Sequence, residues 1–270
     1  LPKTIRHLKG EDLKDAIPDK LYIPLTDIRM LTKVDLLMLE MLANCNWERP
    51  LYLAISVGSV SKLKFDNYFV QEGLAFRFTP FDYKKWGDVG ENRLYAVDVE
   101  RLYDNVMNRY KYGGLDTPGL YLDETTLRTC WYHRRLFAQL AKELIAQGDN
   151  ERAKKVLAYA EQVIPGYNVP ETHESGSYDI ATAYAALGEK TKAVTLAVHL
   201  IAEAEDYINW AFSLKGNRIE MVRNDCIYKF WQWNQYNELL KKIDGEKYKE
   251  SNRRFEEKYA LFAPTMNYKN

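Results

Sequence analysis

The sequence has few cysteines, no long apolar run and no excess of either charge, and each of these absences excludes a class of protein. Only three of its 270 residues are cysteines and none forms a C-x-x-C pair, so neither a zinc ribbon nor a redox disulfide is predicted. Basic and acidic side chains balance at 38 each, which gives no reason to expect nucleic acid as a partner. No run of about 18 apolar residues occurs, so we expect no membrane span within this chain. The 46% of hydrophobic residues is nevertheless enough for a substantial core.

Familiar catalytic and metal-binding motifs are also missing. The four histidines do not form an H-x-x-x-H or H-E-x-x-H pair, so no metal site is predicted. Gly113-Gly114 lacks the Gly-Lys-Ser/Thr of a phosphate loop and indicates a turn. Asp98 and Glu100 resemble an acidic pair that binds the metal of a sugar nucleotide, but acids are favoured at any helix start. Cys130 and His133 can share a helix face without a third orienting group, which favours a packed thiol. We therefore predict no cofactor, and no enzymatic activity for the chain on its own.

Two segments repeat one pattern at a distance of 40 residues. The turn glycines Gly148 and Gly188 are separated by this interval, and so are the small residues Ala153 and Ala193 that follow them. A small residue before a turn glycine and small residues after it are typical of tetratricopeptide hairpins, in which small side chains let two helices cross closely. The interval exceeds the usual length of about 34 residues, and the excess fits a loop over 166–172. We predict two antiparallel helical hairpins over 124–206.

The rest of the chain predicts a small α/β section before the hairpins and further helices after them. A helix is expected over 26–44, although Thr32 and Asp35 form a capping-box pattern that leaves a later start open. The other predicted elements are a buried strand over 51–57, a strand over 74–79, and helices over 99–110, 221–242 and 248–262, the last capping the stack. The predicted fold is mainly α, with tetratricopeptide-like repeats after a small α/β section. The predicted domains are residues 1–119 and 120–270.

An aromatic-rich segment within the predicted helix over 221–242 has two interpretations. It contains Phe230-Trp231-Gln232-Trp233 and follows Tyr207, Trp210 and Phe212. Aromatic faces can stack on sugar rings, but aromatic residues at helical spacing more often fill the space between helices. Core packing is therefore favoured. A related alternative is that the C-terminal helices fold back and insert Trp231 or Trp233 into the groove of the repeats.

Several short motifs, taken in order, resemble a known family. They are Pro24-Leu25-Thr26-Asp27-Ile28-Arg29, Asn46-Trp47-Glu48-Arg49-Pro50-Leu51-Tyr52, Gln71-Glu72-Gly73-Leu74-Ala75-Phe76-Arg77, Lys111-Tyr112-Gly113-Gly114-Leu115-Asp116, Tyr121-Leu122-Asp123-Glu124 and Asn168-Val169-Pro170. Over about 21–214 the chain resembles the soluble C-terminal region of a family of large membrane proteins of unknown function from Gram-negative bacteria. The N-terminal half of that family is polytopic and similar to protein O-mannosyltransferases, which are GT-C-type enzymes that use a lipid-linked sugar.

The resemblance has limited implications for chemistry. In such transferases the acidic catalytic residues lie in loops of the membrane half, so no catalytic residue carries over to this chain. The resemblance implies an upstream membrane domain and a location on the periplasmic face of the inner membrane, where acceptor proteins are met. The chain begins at Leu1 and its first residues do not resemble a signal peptide, so we expect a fragment of a longer protein.

These observations lead to one expected function and two alternatives. We expect a non-catalytic interaction domain of a membrane glycosyltransferase-like protein that recruits or positions a protein or glycan acceptor. The alternatives are a free-standing tetratricopeptide-like scaffold for protein assembly and, least favoured, an enzyme working in the 20–95 section. The first helix of each repeat lines the concave face of such an array. The predicted binding residues on this face are Arg135, Gln139, Lys142, Tyr178, Asp179 and Thr182.

Overall fold

The computed structural model of the chain contains two compact units, residues 1–111 and 112–270. The structure describes residues 16–17, 20–23, 25, 28–45, 47–57, 63, 66–86, 95–214 and 218–266. The start of the helix predicted from residue 26 lies outside the described residues, as do Pro24, Thr26, Asp27 and Asn46 of the motifs above. The sequence-based division at residue 119 falls within the loop that follows the first unit.

A small mixed sheet forms the centre of the first unit. Its strands are β1 (Tyr52–Ala54), β2 (Phe69–Gln71), β3 (Ala75–Phe78) and β4 (Ala96–Val97), in the order β1-β3-β2-β4. Strand β3 is antiparallel to β1 and β2, whereas β4 is parallel to β2. The aromatic side chains of Phe69, Phe76 and Phe78 build a core on this sheet.

Of the two strands predicted from the sequence, one is confirmed and the other differs from the prediction. The strand predicted over 74–79 is present as β3, but the one predicted as a buried strand over 51–57 is a three-residue edge strand, β1. Tyr52 in β1 is 51% exposed. An edge strand pairs on one side only, so its short apolar run is incompletely covered. Strands β2 and β4 were not predicted.

The helices of the first unit begin where their capping residues indicate. Helix α1 (Lys33–Asn44) starts at a capping box, in which Thr32 Oγ1 accepts a bond from the Asp35 amide at 3.3 Å and Asp35 accepts one from the Thr32 amide at 2.7 Å. The later of the two possible helix starts is therefore confirmed. A short helix α2 (Tyr83–Trp86) lies between β3 and β4 in the chain, and α3 (Val99–Asp104), after β4, continues as a π-helical turn over Asn105–Arg109.

The second unit is built from helices, most of them paired as hairpins. The first hairpin is α4 (Glu124–Ala146) with α5 (Asn150–Val163), and the second is α6 (Ser177–Ala186) with α7 (Lys190–Ser213). A short helix α8 (Arg218–Met221) precedes a third hairpin, α9 (Arg223–Ile243) with α10 (Gly245–Met266). Helix α6 packs on α4, and α9 packs on α7, so the hairpins follow one another in the stack. The fold is mainly α after a small α/β section, as predicted.

The first two hairpins turn in the same way. Gly148 and Gly188 both have φ of 77°, a left-handed conformation that favours glycine. In each turn the amide after the glycine donates to the carbonyl five residues earlier: Asp149 to Leu144 and Glu189 to Tyr184, both at 2.9 Å. Ala153 and Ala193, which follow the turns, are fully buried. The two predicted hairpins are therefore present, with small residues at the helix crossings.

The C-terminal helices extend the stack as a third hairpin rather than only capping it. Trp233 is fully buried, and its indole N–H donates to Ser251 of α10 at 2.8 Å. Phe230 packs on Phe262, with ring centroids 5.2 Å apart. Trp231 instead remains 49% exposed. Trp233 thus joins α9 to α10 and does not fill a groove of the first two hairpins.

Candidate functional site

The six residues predicted as a binding surface lie on the first helices of the first two hairpins. Arg135, Gln139 and Lys142 are on α4, whereas Tyr178, Asp179 and Thr182 are on α6. Arg135, Lys142 and Asp179 are exposed, and the other three are half-buried. The Thr182 hydroxyl donates to the Asp179 carbonyl at 2.8 Å, which is a bond within the helix. Arg135 and Tyr178 are brought together around residues 173–174, while Gln139 and Lys142 lie further along α4.

An aromatic cluster, which we define as His173, Tyr178, Tyr228, Trp231 and Tyr236, joins the start of α6 to α9. The His173 ring stacks on Tyr178 at 5.8 Å and meets Trp231 edge to face at 5.6 Å. Tyr228 and Trp231 stack at 5.6 Å with their planes 12° apart. Trp231 is 49% exposed and Tyr228 is 45% exposed, so both present an aromatic face to solvent. The cluster therefore has a buried base and an accessible aromatic surface.

Polar contacts hold the aromatic cluster in one arrangement. The His173 Nδ1 lies 2.9 Å from the Tyr236 hydroxyl, and the Tyr178 hydroxyl donates to the Gln235 carbonyl at 3.3 Å. The guanidinium of Arg135 donates to the Glu174 carbonyl at 2.7 Å. The first helices of all three hairpins are thus connected through residues 173–178.

The electrostatics of the cluster favour a neutral histidine beside a carboxylate. Burial lowers the pKa of His173, and Lys229 adds to this effect, while Glu174 and Asp179 oppose it. Burial alone would raise the pKa of the Glu174 carboxyl, but a backbone hydrogen bond, Lys229 and Gln232 hold it below the ordinary value. The surface beside the exposed aromatic rings therefore offers an anionic acceptor in Glu174 and a cationic donor in Arg135.

A buried arginine fixes the segment that carries His173 and Glu174. Arg134 on α4 donates to the carbonyls of Ile164, Val169 and Pro170 at 3.0, 2.5 and 2.7 Å, and to the Ser175 hydroxyl at 3.1 Å. Its side chain is nearly inaccessible, and burial lowers the pKa of its guanidinium to about 10. One side chain thus ties down both ends of the long connection between α5 and α6.

Two motifs that carried the family resemblance meet at the same connection. Asn168 donates to the carbonyls of Leu115 and Thr117 at 2.8 and 2.6 Å. The Asn168-Val169-Pro170 motif therefore binds the loop that contains Leu115, and its Val169 and Pro170 carbonyls accept from Arg134. Arg134 is not among the residues predicted from the sequence. Its one signal was an arginine among the apolar positions of α4.

The contacts of the residue pairs considered for catalysis indicate structural roles. Asp98 caps α3 by accepting a bond from the Arg101 amide at 3.1 Å. Burial raises the pKa of the Cys130 thiol and lowers that of the His133 imidazole, which is the reverse of what an activated thiolate–imidazolium pair requires.

Within the described part of the chain, no group of three or more His, Cys, Asp or Glu side chains could hold a metal ion. In that same part, no helix has both the length and the apolar character needed to cross a membrane.

The fold and this surface define a small α/β unit followed by an array of helical hairpins with an exposed aromatic cluster. Residues 4–100 match the family model described as TMEM260-associated domain 2, so the chain is similar to that family over most of its first unit. The hairpins lie beyond the matched residues. No curated protein and no solved structure matches the chain.

Proposed function

We propose that this chain is a non-catalytic interaction domain of a membrane glycosyltransferase-like protein, and that its hairpins recruit or position a protein or glycan acceptor. The similarity of the first unit to a TMEM260-associated domain supports the link to O-mannosyltransferase-like membrane proteins. The proposed location is the periplasmic face of the inner membrane, as the sequence resemblance implies. The partner is an acceptor presented to the membrane-embedded half of the same protein.

The hairpins belong to the tetratricopeptide type in this proposal. The 40-residue recurrence, the identical glycine turns and the buried alanines at both crossings support this assignment. Stacked hairpins of this kind present their first helices along one continuous surface, which suits the binding of an extended partner.

The observation that carries the proposal is the exposed part of the aromatic cluster. Trp231 and Tyr228 stack on each other at the surface, although neither is needed to fill the core between α9 and α10. Rigid aromatic side chains provide a large contact area at a low entropic cost, and binding energy in protein interfaces concentrates on such residues. The predicted residues Arg135 and Tyr178 border the same cluster.

A pair of tryptophan variants tests this proposal. The probes are an extended Ser/Thr-rich peptide and the same peptide carrying O-linked hexose, titrated against the 270-residue chain by NMR chemical-shift mapping. Trp231→Ala should weaken binding at least about tenfold, because truncating an interface anchor costs about 2 kcal/mol or more. Trp210→Ala is the matched control, since Trp210 is equally exposed at 49% but lies on α7, the second helix of its hairpin. Equal effects of the two variants, or no binding of either peptide, would contradict the proposal.

The absence of catalysis is a separate part of the proposal. The purified chain should not transfer sugar from lipid-linked or nucleotide-linked donors. Turnover that is abolished by changing Asp98 or Glu100 would show that the chain is an enzyme.

A further inference from the structure

The first unit contains a polar cleft of about 470 Å³. Strand β1, the turn between β2 and β3, α3 and the π-helical turn surround it. Its polar lining consists mainly of Tyr52, Glu72, Arg101, Asp104, Asn105 and Arg109. We call this feature the Glu72 cleft. Its volume falls within the range of about 300–1,000 Å³ that is typical of small-molecule sites.

Two sets of ion-paired side chains line the Glu72 cleft. The largely buried carboxylate of Glu72 lies 3.1 Å from Arg101, 3.6 Å from Arg77 and 3.2 Å from the Tyr52 hydroxyl. The Arg109 guanidinium lies 2.7 Å from the Asp104 carboxylate. The side chains of Arg101 and Arg109 are 54% and 71% exposed. A guanidinium has five N–H donors and a carboxylate about four acceptor positions, so these pairs retain capacity toward a ligand.

The walls of the Glu72 cleft are positioned by close backbone contacts. The Asn105 side chain donates to the Glu72 carbonyl at 2.6 Å, and the Leu74 amide donates to the Tyr110 hydroxyl at 3.0 Å. Gly73 lies so close to Tyr110 that a Cβ at this position would collide with the phenol oxygen. The site is therefore largely formed before any ligand binds, which lowers the entropic cost of binding.

Two sequence motifs that the hairpin surface does not use converge on this cleft. Tyr52 ends the Asn46–Tyr52 motif, and Glu72 and Gly73 belong to the Gln71–Arg77 motif. The alternative is that Glu72 and Arg101 form only a structural ion pair. That role would explain their own contact, but it would not account for a second ion pair, an exposed tyrosine and open volume on the same cleft.

We propose that the Glu72 cleft binds a neutral, polyhydroxylated ligand of the size of a single sugar unit. A hydroxyl group is both donor and acceptor, so neighbouring hydroxyls can bond to a guanidinium and a carboxylate at once. The charged side chains of the lining balance, with Arg101 and Arg109 against Glu72 and Asp104, so the cleft has no net positive charge to attract an anion such as phosphate. Tyr52, half exposed at the rim, offers an aromatic surface for the apolar face of a sugar ring. This site is additional to the acceptor surface of the hairpins.

Saturation-transfer NMR on the 270-residue chain tests the proposal. The probes are the methyl glycosides of mannose, glucose and galactose. Inorganic phosphate is titrated separately, and its binding is followed by the chemical shifts of the protein resonances. At least one glycoside should bind, and Arg109→Ala should weaken it about tenfold by removing a charge-assisted donor, equivalent to about 1.4 kcal/mol. Arg128→Ala is the matched control, because Arg128 forms a comparably exposed ion pair with Glu124 in the second unit. The control should bind the glycoside as the unmodified chain does.

The remaining outcomes separate this proposal from that for the hairpins. Trp231→Ala should leave glycoside binding at the Glu72 cleft unchanged. Loss of glycoside binding in Trp231→Ala but not in Arg109→Ala would place the sugar at the aromatic cluster and overturn the inference. It would also be overturned if no glycoside binds at millimolar concentration, or if phosphate rather than a glycoside shifts the resonances of the cleft. Failure of the peptide titration would not affect these results.

Discussion

Replacing Arg134 tests whether one buried side chain holds the long connection between the first two hairpins. Its guanidinium donates four hydrogen bonds, three to carbonyls and one to Ser175. Arg134→Met keeps a similar length but removes every donor. The Ile164 and Val169 backbones are buried, so their carbonyls would lose their bonds with little access to water. Each unsatisfied buried group costs about 1–3 kcal/mol.

The expected loss of unfolding free energy for Arg134→Met is about 3–5 kcal/mol. It is smaller than the sum of four charge-assisted bonds, because the variant also avoids the cost of burying a charge. That cost is present at neutral pH, since the pKa of about 10 leaves Arg134 protonated. Arg134→Lys should give an intermediate loss, because a single ammonium cannot reach acceptors spread over residues 164–175 with the geometry of a guanidinium.

Urea denaturation at pH 7, followed by far-UV circular dichroism and by tryptophan fluorescence, measures this loss. The neighbouring Arg135→Met is the control, because Arg135 is exposed and donates one bond, to the Glu174 carbonyl. Its effect should stay below about 1 kcal/mol. If Arg134→Met proves no more destabilising than Arg135→Met, the buried arginine does not hold the connection and the reasoning fails.

Three further predictions concern separate parts of the fold. Gly73→Ala should lower the thermal midpoint and displace Tyr110, visible as changed resonances around the Glu72 cleft; an unchanged midpoint would contradict the close contact. Ala153→Leu should cost about 1–3 kcal/mol in urea denaturation by overpacking the first helix crossing, and a neutral result would refute close packing there. Because burial puts the folded-state pKa of His173 below 6.5, its contribution to stability is present above that pH and is lost as the pH falls through the folded-state pKa. Unfolding free energies measured from pH 7.5 to 5 should therefore fall less steeply in His173→Gln than in the unmodified chain, and an equal slope in the two proteins would contradict this prediction.

Local signals in the sequence were sufficient to predict the first two hairpins. Gly148 and Gly188 were identified from their spacing, and both have the left-handed conformation that a helix-ending turn requires. Thr32 and Asp35, only three residues apart, indicated a possible later start of α1, and the structure shows that start. Such features depend on near neighbours in the chain, so a sequence pattern can reveal them.

Features that depend on distant residues were missed. Strands β2 and β4 contain three and two residues, and their conformation is stabilised by pairing across the sheet rather than by local preference. The Glu72 cleft combines Tyr52 with Arg101 and Arg109, which are about 50 residues further along the chain. The bonds of Arg134 likewise span 30 residues or more. Neither the Glu72 cleft nor the contacts of Arg134 could be predicted from the spacing of residues along the sequence.

Helix α9 divides the residues of its aromatic segment between a buried face and an exposed face. The buried positions Cys226, Phe230, Trp233, Asn237 and Leu240 recur every three or four residues and form one stripe, as core packing requires. The exposed pair at positions 228 and 231 lies off this stripe, three residues apart on another face. From the sequence, core packing is favoured for the whole Phe230–Trp233 segment, whereas in the structure Phe230 and Trp233 are buried and Trp231 is exposed.

Because the exposed pair is off the core stripe, its truncation should alter binding far more than folding. Trp231 loses ring contacts with Tyr228 and His173 when it is shortened, but the indole–serine bond and the ring packing of Trp233 remain. Trp231→Ala is consequently a fair test of the hairpin surface, whereas Trp233→Ala would remove a fully buried side chain and unfold the third hairpin. The histidine that completes the cluster could not have been assigned from α9 alone, since it reaches Trp231 from the connection fixed by Arg134.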